Sequence, residues 1–113
     1  MKLLTIFLLS FLLSLSAIAE DDGYTGLTLD VGVSGFFSPE LVNADVTGVD
    51  IDSPAEKSGI KVGDKLVAIE GCKIPGCPAR KAEKLINKPK GELLPLTLIR
   101  VDGSEYSVDL LVK

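Results

Sequence analysis

The 113-residue chain contains no histidine. That absence removes Ser-His-Asp and Cys-His nucleophilic chemistry, in which an imidazole takes and returns the proton, and with it most zinc-ligand sets. Basic residues are also short, 12 against 16 acidic ones, for a net charge of −4. Nucleic-acid binding needs a basic face to neutralise phosphates, so this balance argues against it. Cysteine occurs only at Cys72 and Cys77. Their spacing is C-x4-C rather than the C-x-x-C of thioredoxin-like redox motifs, and no βαβ pattern surrounds them. The chain does not read as an enzyme, and no metal or cofactor is indicated.

The first residues differ in character from the rest. Lys2 precedes an apolar run from Leu3 to Leu15 broken only by Thr5, Ser10 and Ser14, and Ala17-Ile18-Ala19 has the small-x-small form of a signal-peptidase site. The run is short for a membrane span and is followed by Glu20-Asp21-Asp22, not by a positive stop-transfer cluster. No cysteine follows it to carry a lipid anchor. The expectation is a leader over residues 1–19, cleaved after Ala19, and a single domain over residues 20–113 that is exported to the periplasm or secreted, with no membrane span in the mature protein. Removing the leader leaves 94 residues, enough for one core, and takes Lys2 away, so the net charge becomes −5. In an oxidising compartment Cys72 and Cys77 are expected to form a disulfide, a structural staple around the Pro75-Gly76 turn.

The most legible stretch runs from Asp52 to Gly71. Ser53 is a good N-cap, Pro54 falls at the first helical position, and Glu56 completes an S-x-x-E capping box. Gly59 ends the helix, Val62-Gly63-Asp64 turns the chain, and Leu66, Val67 and Ile69 begin a buried strand closed by Glu70-Gly71. Before it, Leu27, Leu29, Val31 and Val33 alternate with Thr28, Asp30 and Gly32 as a strand with one apolar face. Ser38-Pro39-Glu40-Leu41 reads as another helix start, with Phe36 and Phe37 before it capping one end of the core, and Ala44 to Ile51 as a further strand. After the cysteines, a helix is expected from about Pro78 to Asn87, with Ala79, Ala82, Leu85 and Ile86 on one face. Leu93 to Arg100 and Ser104 to Val112 then form a closing hairpin around Asp102-Gly103.

The order S-P-A-x-x-x-G-[IL]-x-x-G-D-x-[LIV]-x-x-[IV]-x-G, here Ser53 to Gly71, resembles the central signature of PDZ domains, particularly the bacterial kind found in periplasmic proteases. The C-terminal K-G-E-x-x-x-L-x-L-x-R-x-D-G segment is similar as well. The resemblance implies a mainly β fold with two helices, a partly open barrel or sandwich of five to six strands, circularly shifted so that the last strand fills the place of the first. It also implies a peptide site. Tyr24-Thr25-Gly26-Leu27 matches the aromatic-x-Gly-hydrophobic loop that holds a terminal carboxylate, and a groove lined by Leu27, Leu29 and Val31 from the strand and Ala82 and Leu85 from the helix would take an apolar last side chain. The implied partner is a protein or peptide C-terminal tail, or an extended segment, added to the strand edge. Glu20-Asp21-Asp22 stands where many family members carry Arg or Lys, which favours an internal segment. Two further readings stay open: an assembly factor that meets its partner through another surface such as Phe36 and Phe37, and a thiol oxidoreductase on Cys72 and Cys77.

Overall fold

The computed structural model describes residues 23–113; the expected leader and Glu20-Asp21-Asp22 lie outside the described residues. The alternating segment from Leu27 forms β1 (Leu27–Ser34), which turns into β2 (Glu40–Val49). A four-residue helix α1 (Pro54–Lys57) and β3 (Lys65–Ile69) follow, then a two-residue strand β4 (Cys72–Lys73) and α2 (Ala79–Ile86). The chain closes with the hairpin β5 (Leu93–Ile99) and β6 (Glu105–Leu111). All six strands belong to one antiparallel sheet in the order β1-β2-β3-β5-β6, with β4 paired to β3. β6, last in the chain, therefore holds an edge, and just beyond it Lys113 exchanges both backbone hydrogen bonds with Tyr24.

The helix–turn–strand segment forms largely as its sequence dictates. The Ser53 hydroxyl accepts from the Glu56 N–H at 3.2 Å, but Glu56 reaches the N–H of Asp52 rather than that of Ser53, so the capping box is only half closed. Ser53 is occupied on its other side, donating its hydroxyl proton to the Asp50 carbonyl at 2.7 Å. Two expectations fail. Ser38-Pro39-Glu40-Leu41 starts no helix: β2 begins at Glu40, because Ser34 and Glu40 already face each other across the hairpin and Leu41 is buried in the sheet's core face. Phe36 and Phe37 do not cap the core; they stand at the hairpin tip, 90% and 93% exposed. Ile51, expected at a strand end, lies in the turn after β2 and is exposed.

The core is aliphatic, with Leu66, Leu94, Leu96, Leu98 and Leu110 fully buried, and Val46, Ile60, Ile69 and Val112 around them. One charged group sits inside it. The Asp64 carboxylate, 2% exposed, accepts from the Lys61 N–H at 3.1 Å and from the Tyr106 hydroxyl, with the Arg100 guanidinium 3.8 Å away. Arg100 also lies over the Tyr106 ring at 4.0 Å, so the ring is held between a cation and a carboxylate. Burial, then the hydrogen bond to Asp64 and the carboxylate's charge, raise the Tyr106 pKa well above the usual tyrosine value, against a smaller lowering by Arg100. Tyr106→Phe is expected to cost about 1.5–3 kcal/mol by removing a hydrogen bond to a buried charge. It should also flatten the alkaline limb of the stability curve. A raised tyrosine pKa means the folded state keeps a proton that the unfolded chain releases above about pH 10, so stability is full below that pH and falls as pH rises further. Urea denaturation of both proteins between about pH 8 and pH 11 checks this.

Cys72 and Cys77 are joined in a disulfide, with Cα atoms 5.4 Å apart. The loop they close contains Ile74, buried against the core, and a cis peptide bond before Pro75. Its C-terminal end is stitched to the start of β2: Leu41 donates to the Cys77 carbonyl at 2.8 Å, Gly76 to the Leu41 carbonyl at 2.9 Å, and Ala79 to the Pro39 carbonyl at 2.9 Å. The staple thus fixes where α2 begins relative to the β1–β2 hairpin.

Candidate functional site

β1 pairs only with β2 among the described residues, so its other edge offers unpaired N–H and C=O groups. α2 runs beside that edge in the opposite direction. Its first residue is bonded to Pro39 near the hairpin tip, whereas the turn after its last residue meets the start of the described chain, where a Cβ added to Gly23 would lie 2.3 Å from the Lys88 carbonyl oxygen. Between strand and helix lies an open, almost wholly apolar cleft of about 350 Å³. Leu29, Val31 and Val33 form the strand wall, Ala79, Ala82, Glu83 and Ile86 the helix wall, and Leu41, Ala44, Leu66 and Ile69 the floor. Glu83 is the one charged residue in this lining.

The loop from Tyr24 to Leu27 leads into β1 just before Leu29, the first cleft residue, and its backbone is pinned from behind. Ala55, in α1, donates its N–H to the Thr25 carbonyl at 3.0 Å, and Asp50 donates to the Gly26 carbonyl at 2.9 Å. In a trans peptide the N–H points opposite to the C=O of the same plane. Both bonds therefore aim the N–H groups of Gly26 and Leu27 away from the Asp50–Ala55 segment. The Leu27 N–H donates to the Thr25 hydroxyl at 3.3 Å, and the Gly26 N–H has no hydrogen-bond acceptor among the described residues. Two adjacent amides turned the same way make a concavity suited to an anion. Gly26 cannot be another residue here: its φ is +78°, and a Cβ would stand 2.1 Å from the Ser53 Cβ. Tyr24 braces the loop from outside, donating its hydroxyl proton to Asp50 at 2.6 Å; that bond and the Asp50 charge raise its pKa above the usual tyrosine value.

Of the residues expected at the site, Leu29, Val31 and Ala82 line the cleft together, and Tyr24, Thr25, Gly26 and Leu27 form the loop that leads into β1. Leu27 and Leu85 do not line the cleft; both are half-buried against the core. Helix geometry explains Leu85. At about 100° per residue, Ala79, Glu83 and Ile86 fall on one side of Ala82 and Leu85 on the other. That signal was present in the sequence, as was the i, i+3, i+7 spacing of Ala79, Ala82 and Ile86. The bracing of the loop by Asp50, Ser53 and Ala55 has no such signal, since it joins segments some thirty residues apart.

The PDZ domain family model matches residues 14–99. The chain belongs to the PDZ domain family, and the domain is a peptide-binding protein-interaction module. The match stops at Ile99, leaving outside it β6, the strand that a circular shift moves to the end. Among curated proteins, the chain is 30% identical over 79 residues to syntenin-2 of Mus musculus and equally to syntenin-2 of Rattus norvegicus, covering 70% of this chain and 24% of each relative. It thus spans about a quarter of the length of those relatives. Among solved structures, a photosystem II D1 C-terminal processing protease superposes with a TM-score of 0.63 at 18% identity, over 88% of this chain and 26% of that one. That likeness is one of fold. No helix among the described residues is long and apolar enough to cross a membrane.

Proposed function

We propose that the protein captures the C-terminal tail of a partner protein, or an extended segment of one, by adding it as a strand to the free edge of β1. The observation that carries this reading is the alignment of three features along one line: an unpaired strand edge, an apolar cleft beside it, and two outward-turned amides in the loop that leads into β1. The amides of Gly26 and Leu27 receive the terminal carboxylate, with Tyr24 and Thr25 shaping the loop. The last side chain sits between Leu29 and Ile86, and the third from the end between Val31 and Ala82. The small side chains of Ala79 and Ala82 leave room for Val, Leu, Ile or Phe. Main-chain bonds to β1 supply affinity for any sequence and the cleft supplies preference. Affinity for short tails falls in about the micromolar range, because a free peptide loses conformational freedom on docking. The Cys72–Cys77 disulfide and the leader-like first residues together support export, to the periplasm or outside the cell, as a module with no catalytic chemistry of its own.

A C-terminal peptide library screened against the mature protein should enrich apolar last residues. Amidating the selected tail should weaken binding by about tenfold or more, as expected when two amides lose a charged acceptor. Val31→Glu should abolish capture without unfolding the domain, since Val31 is 47% exposed. Enrichment that is indifferent to the free carboxylate would shift the reading to internal segments, and capture that survives Val31→Glu would remove the cleft from the account.

A further inference from the structure

The tip of the β1–β2 hairpin carries two phenylalanines that nothing among the described residues covers. Phe36 and Phe37, 90% and 93% exposed, meet edge to face with ring centroids 5.0 Å apart. Two large aromatic rings side by side in water mark a contact surface. The tip cannot fold back into the cleft of its own domain. The Ser34–Glu40 pair closes the hairpin, and the Ala79–Pro39 hydrogen bond ties its return to the start of α2. The charge around the tip has one sign: β1 and β2 carry Asp30, Glu40 and Asp45 and no Lys or Arg. A surface of the opposite character lies on the same molecule. Residues 79–90 hold five bases against one acid. Of these bases, Arg80 and Lys84 border a shallow depression that shares Glu83 with the apolar cleft, so they stand on the cleft's outer rim. An apolar tip flanked by acids and an apolar cleft rimmed by bases are complementary.

We propose that the hairpin tip of one copy docks in the β1–α2 cleft of a second copy, forming a two-fold dimer in which both clefts are covered. The partner is thus a second copy of this chain, and the contact goes beyond peptide capture. Tip and cleft adjoin in one molecule, because Val31 and Val33 line the cleft only a few residues before Phe36. A two-fold axis near that junction satisfies both contacts at once and closes the assembly. A single head-to-tail contact would leave a tip and a cleft uncovered at its ends. The area suffices for a dimer. Four rings burying about 150–250 Å² each, with a similar area of the clefts and their rims, remove roughly 1,200–2,000 Å² from water, the range of stable specific interfaces. The charge favours this occupant over an anionic bilayer, since aromatic pairs that enter such lipid are ordinarily flanked by bases. The dimer also regulates the groove, because a tail and a second copy compete for one cleft.

Sedimentation equilibrium of the protein over a concentration series should show twice the monomer mass at the upper end. Phe36→Ser/Phe37→Ser and Val31→Glu, all at exposed positions that leave the fold intact, should each raise the dissociation constant about a hundredfold or more, as the loss of central anchors does. Mixing decides the geometry. The first variant keeps its cleft and the second keeps its tip. An equimolar mixture should therefore regain a dimer through one intact tip–cleft contact, although neither variant associates alone. A Val31→Glu protein that still dimerises would mean that the tips meet each other, and a mixture that stays monomeric would mean that the tip does not enter the cleft. Either result overturns the proposal. So does a monomer at every concentration, including one that sediments with phosphatidylcholine–phosphatidylglycerol vesicles through its phenylalanines. A tail that binds the cleft should return the unsubstituted dimer to monomers, and binding that leaves the dimer whole overturns the shared cleft.

Discussion

Gly26→Ala is expected to lose roughly 2–4 kcal/mol of stability, combining left-handed strain at a residue with a side chain and overpacking against its neighbour. For a domain of this size that corresponds to a fall in Tm of more than about 10 °C. The cause is specific: at φ +78° the new methyl would stand 2.1 Å from the Ser53 Cβ and 2.4 Å from its hydroxyl oxygen, and Ser53 is 1% exposed with both of its hydrogen bonds made inward. The chain must give way where the Gly26 and Leu27 amides are aimed, so peptide binding should fail even at temperatures where the variant is folded. Ser53→Gly supplies the check. Alone it weakens the α1 cap by a few tenths of a kcal/mol and loses the bond to Asp50. Combined with Gly26→Ala it should restore a large part of the lost stability, because the clash partner is gone. Strictly additive losses in the double variant would mean that the Gly26–Ser53 contact is not the source.

The second large effect is expected from Cys72→Ala/Cys77→Ala. Closing so short a loop restricts the unfolded chain only modestly, so the stability lost should be about 2 kcal/mol, toward the low end for disulfides. A functional loss should accompany it. Cys77, Gly76 and Ala79 carry the backbone bonds that set α2 against Pro39 and Leu41, and α2 is one wall of the cleft. The variant should therefore remain folded at room temperature and bind apolar tails a few-fold more weakly. The oxidoreductase reading makes a different prediction, namely a dithiol activity in the unsubstituted protein that disappears in the variant while peptide capture is untouched.

These two positions show what was legible in the sequence. Gly26 and Ser53 each stand out alone, one as the glycine of a loop, the other as an N-cap. The signature from Ser53 to Gly71 reads on its own as scaffold, because its capping, turn and strand signals are all local. In the fold it also braces the loop: Ser53 fills the space behind Gly26, and Ala55 holds the Thr25 carbonyl. Nothing in local sequence chemistry reports such a contact. Strand order was legible for a related reason, since the position of the last strand followed from the family resemblance and not from its composition. Where local signals pointed the other way they lost to pairing. Ser38-Pro39-Glu40 has the form of a helix start, yet the cross-strand partners from Ser34 to Leu27 already fix that segment as β2. Hydrophobicity likewise suggested burial for Phe36 and Phe37, but a short loop at the end of two paired strands has no core to offer them.

The account stands or falls on where a peptide lies. Backbone amide shifts of the isotopically labelled protein, recorded during titration with the library-selected free-carboxylate tail, test this most directly. The expected result is a set of saturable shifts at Gly26 and Leu27, along the outward amides of β1 as far as Ser34, and at Ala79, Ala82, Glu83 and Ile86, with the β5–β6 hairpin unchanged. Saturable shifts confined to any other face, with β1 and α2 silent, would contradict it.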